Sequence, residues 1–233
     1  RKKSLLVDFG TNNSRIEGRP RREIFDVIIS DLSTIKSKNL LLTHFHMDHL
    51  SGLLYMMKKK DISVDFGKIY LPDVFSKKEM SRTLVLLLLA DLLKESGLPS
   101  RQVSLFALVD ALLENKQNVE LLSRGKLFEN KYQALWPDTD VIRKETDEVY
   151  NRICEDGKFK EVMDVLLEFA EKLRLIVWSM TAEGNKPAET VEKETDLTAS
   201  ELTEQPEVRQ KIIRAYVYER EFRRIKALPD FKK

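Results

Sequence analysis

Residues 39–53 read NLLLTHFHMDHLSGL. NLLLT is a short unbroken apolar run, as expected of a strand covered on both faces, since a half-exposed strand would alternate. His44, His46 and His49 follow at once with Asp48 among them, and they are all the histidines in the chain. LSGLLYMMKKK then has helical patterning and ends in basic residues. A strand that delivers polar side chains at its carboxyl end, just where the chain turns into a helix, is where α/β folds build their sites.

Working outward, KSLLVDFG (residues 3–10) predicts a strand closing in a turn, and TNNSRIEGRP a polar loop. REIFDVIISDLSTI places Ile24, Phe25, Ile28, Ile29 and Leu32 on one helical stripe. GKIYL (67–71) predicts another strand, stopped by Pro72. Residues 1–75 therefore alternate strand and helix. From Ser76 the character changes. Ser76 and Glu79 have capping-box spacing and predict the start of a long helix running to Gly97. A second helix is expected from Pro99 through SLFALVDALLENKQNVELL. KLFENKYQALWPD predicts a brief return to extended structure near 130–136, and two more helices follow. In the second, Phe159, Val162, Met163, Leu166, Phe169, Ala170 and Leu173 make a stripe. The region 76–180 is thus mostly helical in expectation. Residues 181–206 are acidic and poor in large apolar side chains, as in a flexible linker, and 207–233 form a basic segment of helical pattern. No internal repeat is visible.

The bulk numbers exclude little else. The chain is 233 residues long with 42% hydrophobic and 33% charged residues, which suits a globular protein with a real core. A formal net charge of +2 argues neither for nor against nucleic acid or a membrane surface. The single cysteine, Cys154, cannot form an internal disulfide, and the composition fits a reducing, cytoplasmic setting. Cys154 reads best as a small buried residue, and Trp136 and Trp178 as core. The longest apolar run, Leu84 to Ala90, is far short of the ~20 residues that cross a bilayer, so a buried helix is expected and no membrane span. No signal-peptide pattern is visible. The first residue is Arg1 rather than methionine, which fits a piece of a longer protein.

Chance explains the histidines poorly. An H-x-H-x-D-H string should arise in on the order of one chain in ten thousand at ordinary residue frequencies. Three adjacent imidazoles would repel one another if protonated, and each would need its own partner if buried neutral. A divalent cation removes both difficulties, because neutral imidazole nitrogens and a carboxylate are ligands that zinc accepts at ~2.0–2.2 Å. In an extended segment His44 and His46 point the same way and can share one ion. Asp48 and His49 come as the chain turns into the helix and can face a neighbouring one. Two metals ~3.5–4 Å apart are a known arrangement for hydrolysis, with bound hydroxide as the nucleophile near neutral pH.

THFHMDHLSG resembles the signature of the metallo-β-lactamase-fold hydrolases, and the resemblance extends over about residues 3–72. LLVDFG is similar to the first strand of that fold, GKIYLP to the strand after the motif, and ALWPD to a segment of the branch found in DNA-uptake competence proteins. The resemblance implies an αββα half-domain with a large helical insertion or extension. It further implies that His44 and His46 bind a first metal and Asp48 and His49 a second, zinc or alternatively manganese. Asp48 would also orient the attacking water. Asp8 would hold the metal loop in place from outside the ligand set; on sequence alone it is equally a plain strand-end carboxylate.

The family completes its site with further histidines, and this chain has none after His49. Three explanations compete: a partial sequence, a site completed by carboxylates such as Asp138 or Asp140, or a decayed site on a scaffold. The basic terminal segment, with Arg209, Arg220, Arg223 and Arg224 among aromatics, could track a nucleic-acid backbone, against the alternative of an amphipathic helix with solvated charges. The helices over 77–125 could be core or a surface for a protein partner. The expected function is metal-dependent hydrolysis of phosphodiester bonds in nucleic acid or nucleotides. Lactam, thioester and lactone substrates stay open, as does a non-catalytic interaction protein.

Overall fold

The computed structural model describes residues 4–59, 65–95, 105–115, 117–155, 157 and 159–182. It is a mixed α/β protein. Four strands, β1 (Ser4–Val7), β4 (Lys38–Leu41), β5 (Ile69–Pro72) and β6 (Val119–Leu122), form one parallel sheet in the order β1-β4-β5-β6. Two small antiparallel ladders accompany it, β2 (Arg15–Ile16) with β3 (Arg19–Pro20), and β7 (Leu127–Phe128) with β8 (Tyr132–Gln133). Six α-helices lie among the described residues: α1 (Arg21–Thr34), α2 (Met47–Lys58), α3 (Ser81–Glu95), α4 (Leu105–Glu114), α5 (Thr139–Glu155) and α6 (Lys160–Ser179). None of these is long and apolar enough to cross a membrane.

The chain forms two compact units. Of the described residues, the first takes those from Ser4 to Asp73 and from Leu87 to Thr139, and the second those from Val74 to Leu86 and from Asp140 to Ala182.

In the first unit β4 is buried along almost its whole length, as an unbroken apolar run in a central strand should be: Leu40 and the following Leu42 are fully buried. β5 alternates. Ile69 and Leu71 are fully buried, while Tyr70 joins Leu122, Phe128 and Ala134 in a small cluster that Leu5 and Leu41 also touch. The β7–β8 hairpin therefore caps part of the sheet. Glu129 at its tip accepts hydrogen bonds from the Tyr70 hydroxyl, at 2.5 Å, and from the Asn39 amide. Burial, and then the Glu129 carboxylate, hold the Tyr70 phenol well above the usual tyrosine range. α1 packs on α2, and α2 on α4. The expected α1 stripe is present, with Phe25, Ile29 and Leu32 buried. The Phe25 ring meets those of Phe9 at 5.4 Å and Tyr55 at 5.7 Å.

In the second unit α6 buries Val162, Met163, Leu166, Phe169, Ala170 and Leu173, the stripe expected from the sequence, whereas Phe159 precedes the helix and is exposed. Arg82 reaches Asp147 at 2.9 Å and stacks on the Tyr150 ring at 4.9 Å. Burial and the neighbouring Cys154 push the Tyr150 phenol up to about 12.

Three expectations fail here. NVELL is not the end of a helix. α4 stops at Glu114, and Val119–Leu122 is the fourth sheet strand, with Ile69 in register opposite Val119. Val119, Leu121 and Leu122 suit a helix or a buried strand equally by spacing, and pairing with β5 decides between them. Nor do Ser76 and Glu79 cap a helix. A 3-10 turn spans Lys78–Met80 without a side-chain cap and α3 begins at Ser81, while the Ser76 carbonyl accepts from Arg174 Nη1 at 3.4 Å. Trp136 is 56% exposed rather than core. The acidic stretch 183–206 and the basic segment 207–233, with Arg209, Arg220, Arg223 and Arg224, lie outside the described residues.

Candidate metal centre

The site forms where β1 and β4 end side by side. Asp8 N–H donates to the Leu41 carbonyl at 2.8 Å, continuing the parallel ladder one residue past β1. Asp8 itself has φ of +55°, a left-handed conformation that aspartate tolerates better than most residues. This turns the chain onto the first turns of α2. Phe9 N–H donates to the His49 carbonyl at 2.7 Å, and the Phe9 carbonyl accepts from Gly52 N–H at 2.8 Å and Leu53 N–H at 3.1 Å. Thr11 N–H donates to Ser51 Oγ, which donates back to the Thr11 carbonyl, both at 2.9 Å. The approach is so close that a Cβ on Gly10 would lie 2.7 Å from the backbone nitrogens of Leu50 and Ser51, and one on Gly52 would lie 2.6 Å from the Phe9 ring. The glycines of VDFG and HLSG are explained by these contacts.

The turn carries the Asp8 carboxylate onto the histidine loop. Its Oδ1 accepts from Thr43 N–H and its Oδ2 from the Thr43 hydroxyl, each at 2.8 Å. His49 Nδ1 also lies 2.8 Å from Oδ2. Thr43 Oγ1 lies 3.0 Å from His44 Nδ1. The rings of His44 and His49 are 3.7 Å apart between centroids, and those of His44 and His46 are 4.7 Å apart.

Such crowding disfavours positive charge. His44 is held below the usual imidazole range, first by burial and then by repulsion from His49 and His46, with Asp8 and Asp48 partly offsetting this. A neutral imidazole is the form a metal ion accepts.

One ligand atom each from His44, His46 and Asp48 lies within 4.8 Å of the others, and no further group of this kind includes another residue among those described. The donor set fits a borderline divalent cation. Bonds of ~2.0–2.2 Å in a tetrahedral arrangement put ligands roughly 3.4 Å apart, so no pair of these atoms needs to draw in by more than about 1.4 Å. All three are only half-buried, which leaves them room to rotate.

His49 is not one of the three, although its ring lies against that of His44 and its Nε2 is 3.6 Å from Asp48 Oδ2. Asp48 thus belongs to the His44–His46 group and also neighbours His49, where the sequence suggested two separate pairs. Asp138 is held by Arg124 at 2.8 Å, and Asp140 is 82% exposed at the side chain beside Arg143; neither belongs to the three-residue group. Motif spacing does not single out Thr43 or Ser51. Their only signal is adjacency to the histidines, which does not distinguish a hydroxyl that links two ring systems from any polar loop residue.

Comparison with protein families, with curated proteins and with solved structures finds no match to this chain.

Proposed function

We propose that this chain is a metal-dependent hydrolase acting on phosphodiester bonds of nucleic acid or nucleotides, in the manner of the metallo-β-lactamase-fold enzymes that its motif resembles. The observation that carries the reading is the three-residue donor group His44, His46 and Asp48 at the end of a central parallel strand. Catalytic zinc sites use three protein ligands and leave one position open, whereas structural sites close all four. A bound zinc or manganese ion would act as a Lewis acid and lower the pKa of its water toward ~7.

The residues divide the work as follows. His44 and His46 hold the ion with neutral nitrogens. Asp48 would supply a carboxylate oxygen to it and would also orient the attacking water. His49, anchored through Nδ1 by Asp8, presents Nε2 on the Asp48 side, where it can ligate a second ion or hold a proton. Support for an anionic substrate comes from Arg15, Arg19 and Arg22, exposed on the β2–β3 hairpin and the start of α1 just after the Asp8 turn. Arg21 ties this hairpin to the turn by donating from Nη1 to the Thr11 carbonyl at 3.1 Å.

A second reading, a non-catalytic interaction protein with an incomplete metal site, is favoured by the absence of any histidine beyond His49. Hydrolysis assays on single-stranded DNA, RNA and a simple phosphodiester, with zinc or manganese, separate the two. Turnover by wild type that is lost in Asp48→Ala and His44→Ala supports the enzyme; equal rates in all three proteins overturn it.

A further inference from the structure

Asp8, Thr43, His44 and His49 form a chain of hydrogen bonds whose directions can be read from the donors available. A carboxylate only accepts, so the Thr43 hydroxyl proton points to Asp8 Oδ2 and leaves Thr43 Oγ1 as an acceptor toward His44 Nδ1, 3.0 Å away. His44 Nδ1 must then carry a proton. His49 Nδ1 carries one for the simpler reason that it faces Oδ2 directly at 2.8 Å. A neutral imidazole in water prefers its proton on Nε2, the tautomer that denies Nε2 to a metal.

We propose that Thr43 is a positioning residue, which relays the Asp8 carboxylate to His44 so that one aspartate sets the tautomer of two imidazoles and frees both Nε2 lone pairs for metal. The proposal rests on the metal-site reading above for its purpose, though not for its geometry. Thr43 is suited to the task because its backbone is fixed too: its N–H donates to Asp8 Oδ1 at 2.8 Å, so the hydroxyl cannot drift from the carboxylate. His46, by contrast, follows Phe45, a 5%-exposed core residue, and has no link to this chain of bonds. Its tautomer is left to solvent and to the ion, and it serves as an internal control.

The test uses Thr43→Val, which keeps the shape and removes the hydroxyl, and Thr43→Ser, which restores it. Two-bond proton–nitrogen spectra of metal-free, histidine-labelled protein distinguish protonated from bare ring nitrogens. Wild type is expected to show Nδ1–H for both His44 and His49. In Thr43→Val, His44 should move to the Nε2–H form while His49 keeps Nδ1–H, and Thr43→Ser should return His44 to its original state. Zinc affinity, measured by chelator competition, should fall about 10- to 100-fold in Thr43→Val, the usual effect of losing a partner of a ligating histidine, and recover in Thr43→Ser. An Nδ1–H His44 in Thr43→Val with wild-type zinc affinity overturns the proposal. Tautomers that follow the proposal in a protein that takes up no zinc at all support the relay and remove the metal-site reading.

Discussion

Asp8 Oδ2 and His49 Nδ1 lie 2.8 Å apart across 41 residues of sequence. The contact joins the end of β1 to the first turn of α2, and through Thr43 the same carboxylate also fixes the residue that precedes His44. Asp8→Ala removes three acceptor contacts at once and leaves an alanine in a left-handed conformation. It should cost about 1–3 kcal/mol of stability in urea unfolding and weaken zinc binding about 10- to 100-fold. Unchanged zinc affinity would show that the carboxylate is only a strand-end group.

The two close glycine contacts give a prediction about stability alone. Gly10→Ala drives a methyl group into the backbone nitrogens of Leu50 and Ser51, which cannot rotate away. Overpacking of this kind costs about 1–3 kcal/mol or more. Gly52→Ala gains about 1 kcal/mol of helix propensity, yet its methyl meets the Phe9 ring at 2.6 Å and the Phe9 carbonyl at 2.9 Å, so it too should destabilise. Gly18, with open space around it, is the control: Gly18→Ala should cost only the roughly 1–2 kcal/mol of its positive φ. Denaturant midpoints for the three variants should fall in the order Gly10 lowest, then Gly52, then Gly18.

The depressed His44 pKa sets a direction for acid sensitivity. In the unfolded chain this imidazole takes up a proton near pH 6.5, while in the folded, metal-free protein it resists until lower pH. The unfolded state therefore binds more protons in that window, and stability falls as pH drops below about 6.5. His44→Gln should flatten this acid limb in chemical unfolding of the metal-free protein. An unaltered limb would mean that burial and the neighbouring rings do not govern His44.

The arginines of the β2–β3 hairpin bear on the substrate. Among the described residues Arg19 pairs only with Glu23, at 3.7 Å, and Arg15 Nε donates to the Gly18 carbonyl at 3.2 Å; both contacts are exposed and of little worth to folding. Replacing Arg15, Arg19 and Arg22 together with Gln should leave the melting temperature nearly unchanged and weaken single-stranded DNA binding. Each lost phosphate contact should reduce the slope of log affinity against log salt by about 0.7. Equal affinity and slope in the variant would detach the hairpin from substrate recognition.

Much of this was legible in the sequence, for reasons that particular residues make plain. NLLLT announced a central strand because continuous burial leaves no alternation, and the α6 stripe was visible because twenty residues are long enough for a 3.6-residue period to emerge. VELL reads equally as a helix end or a strand because four residues are too few to separate the two, and its neighbour in the sheet, Ile69, is 50 positions earlier in the chain. The histidine cluster was legible because its members are adjacent in sequence. Of its support, Asp8 is legible only through the family resemblance, and its contacts are not: Thr43 and His49 are brought to it by strand pairing and by the Gly10–Leu50 and Phe9–Gly52 contacts, none of which leaves a periodic trace. Trp136 illustrates the converse, a large apolar residue that is 56% exposed although its side-chain type alone suggests core.

Zinc uptake by the intact chain tests the central claim most directly. Protein dialysed against excess zinc and then freed of unbound metal should retain about one ion per chain by elemental analysis, and His44→Ala, His46→Ala and Asp48→Ala should each lose it. Wild type that retains no more zinc than the three variants would contradict the account.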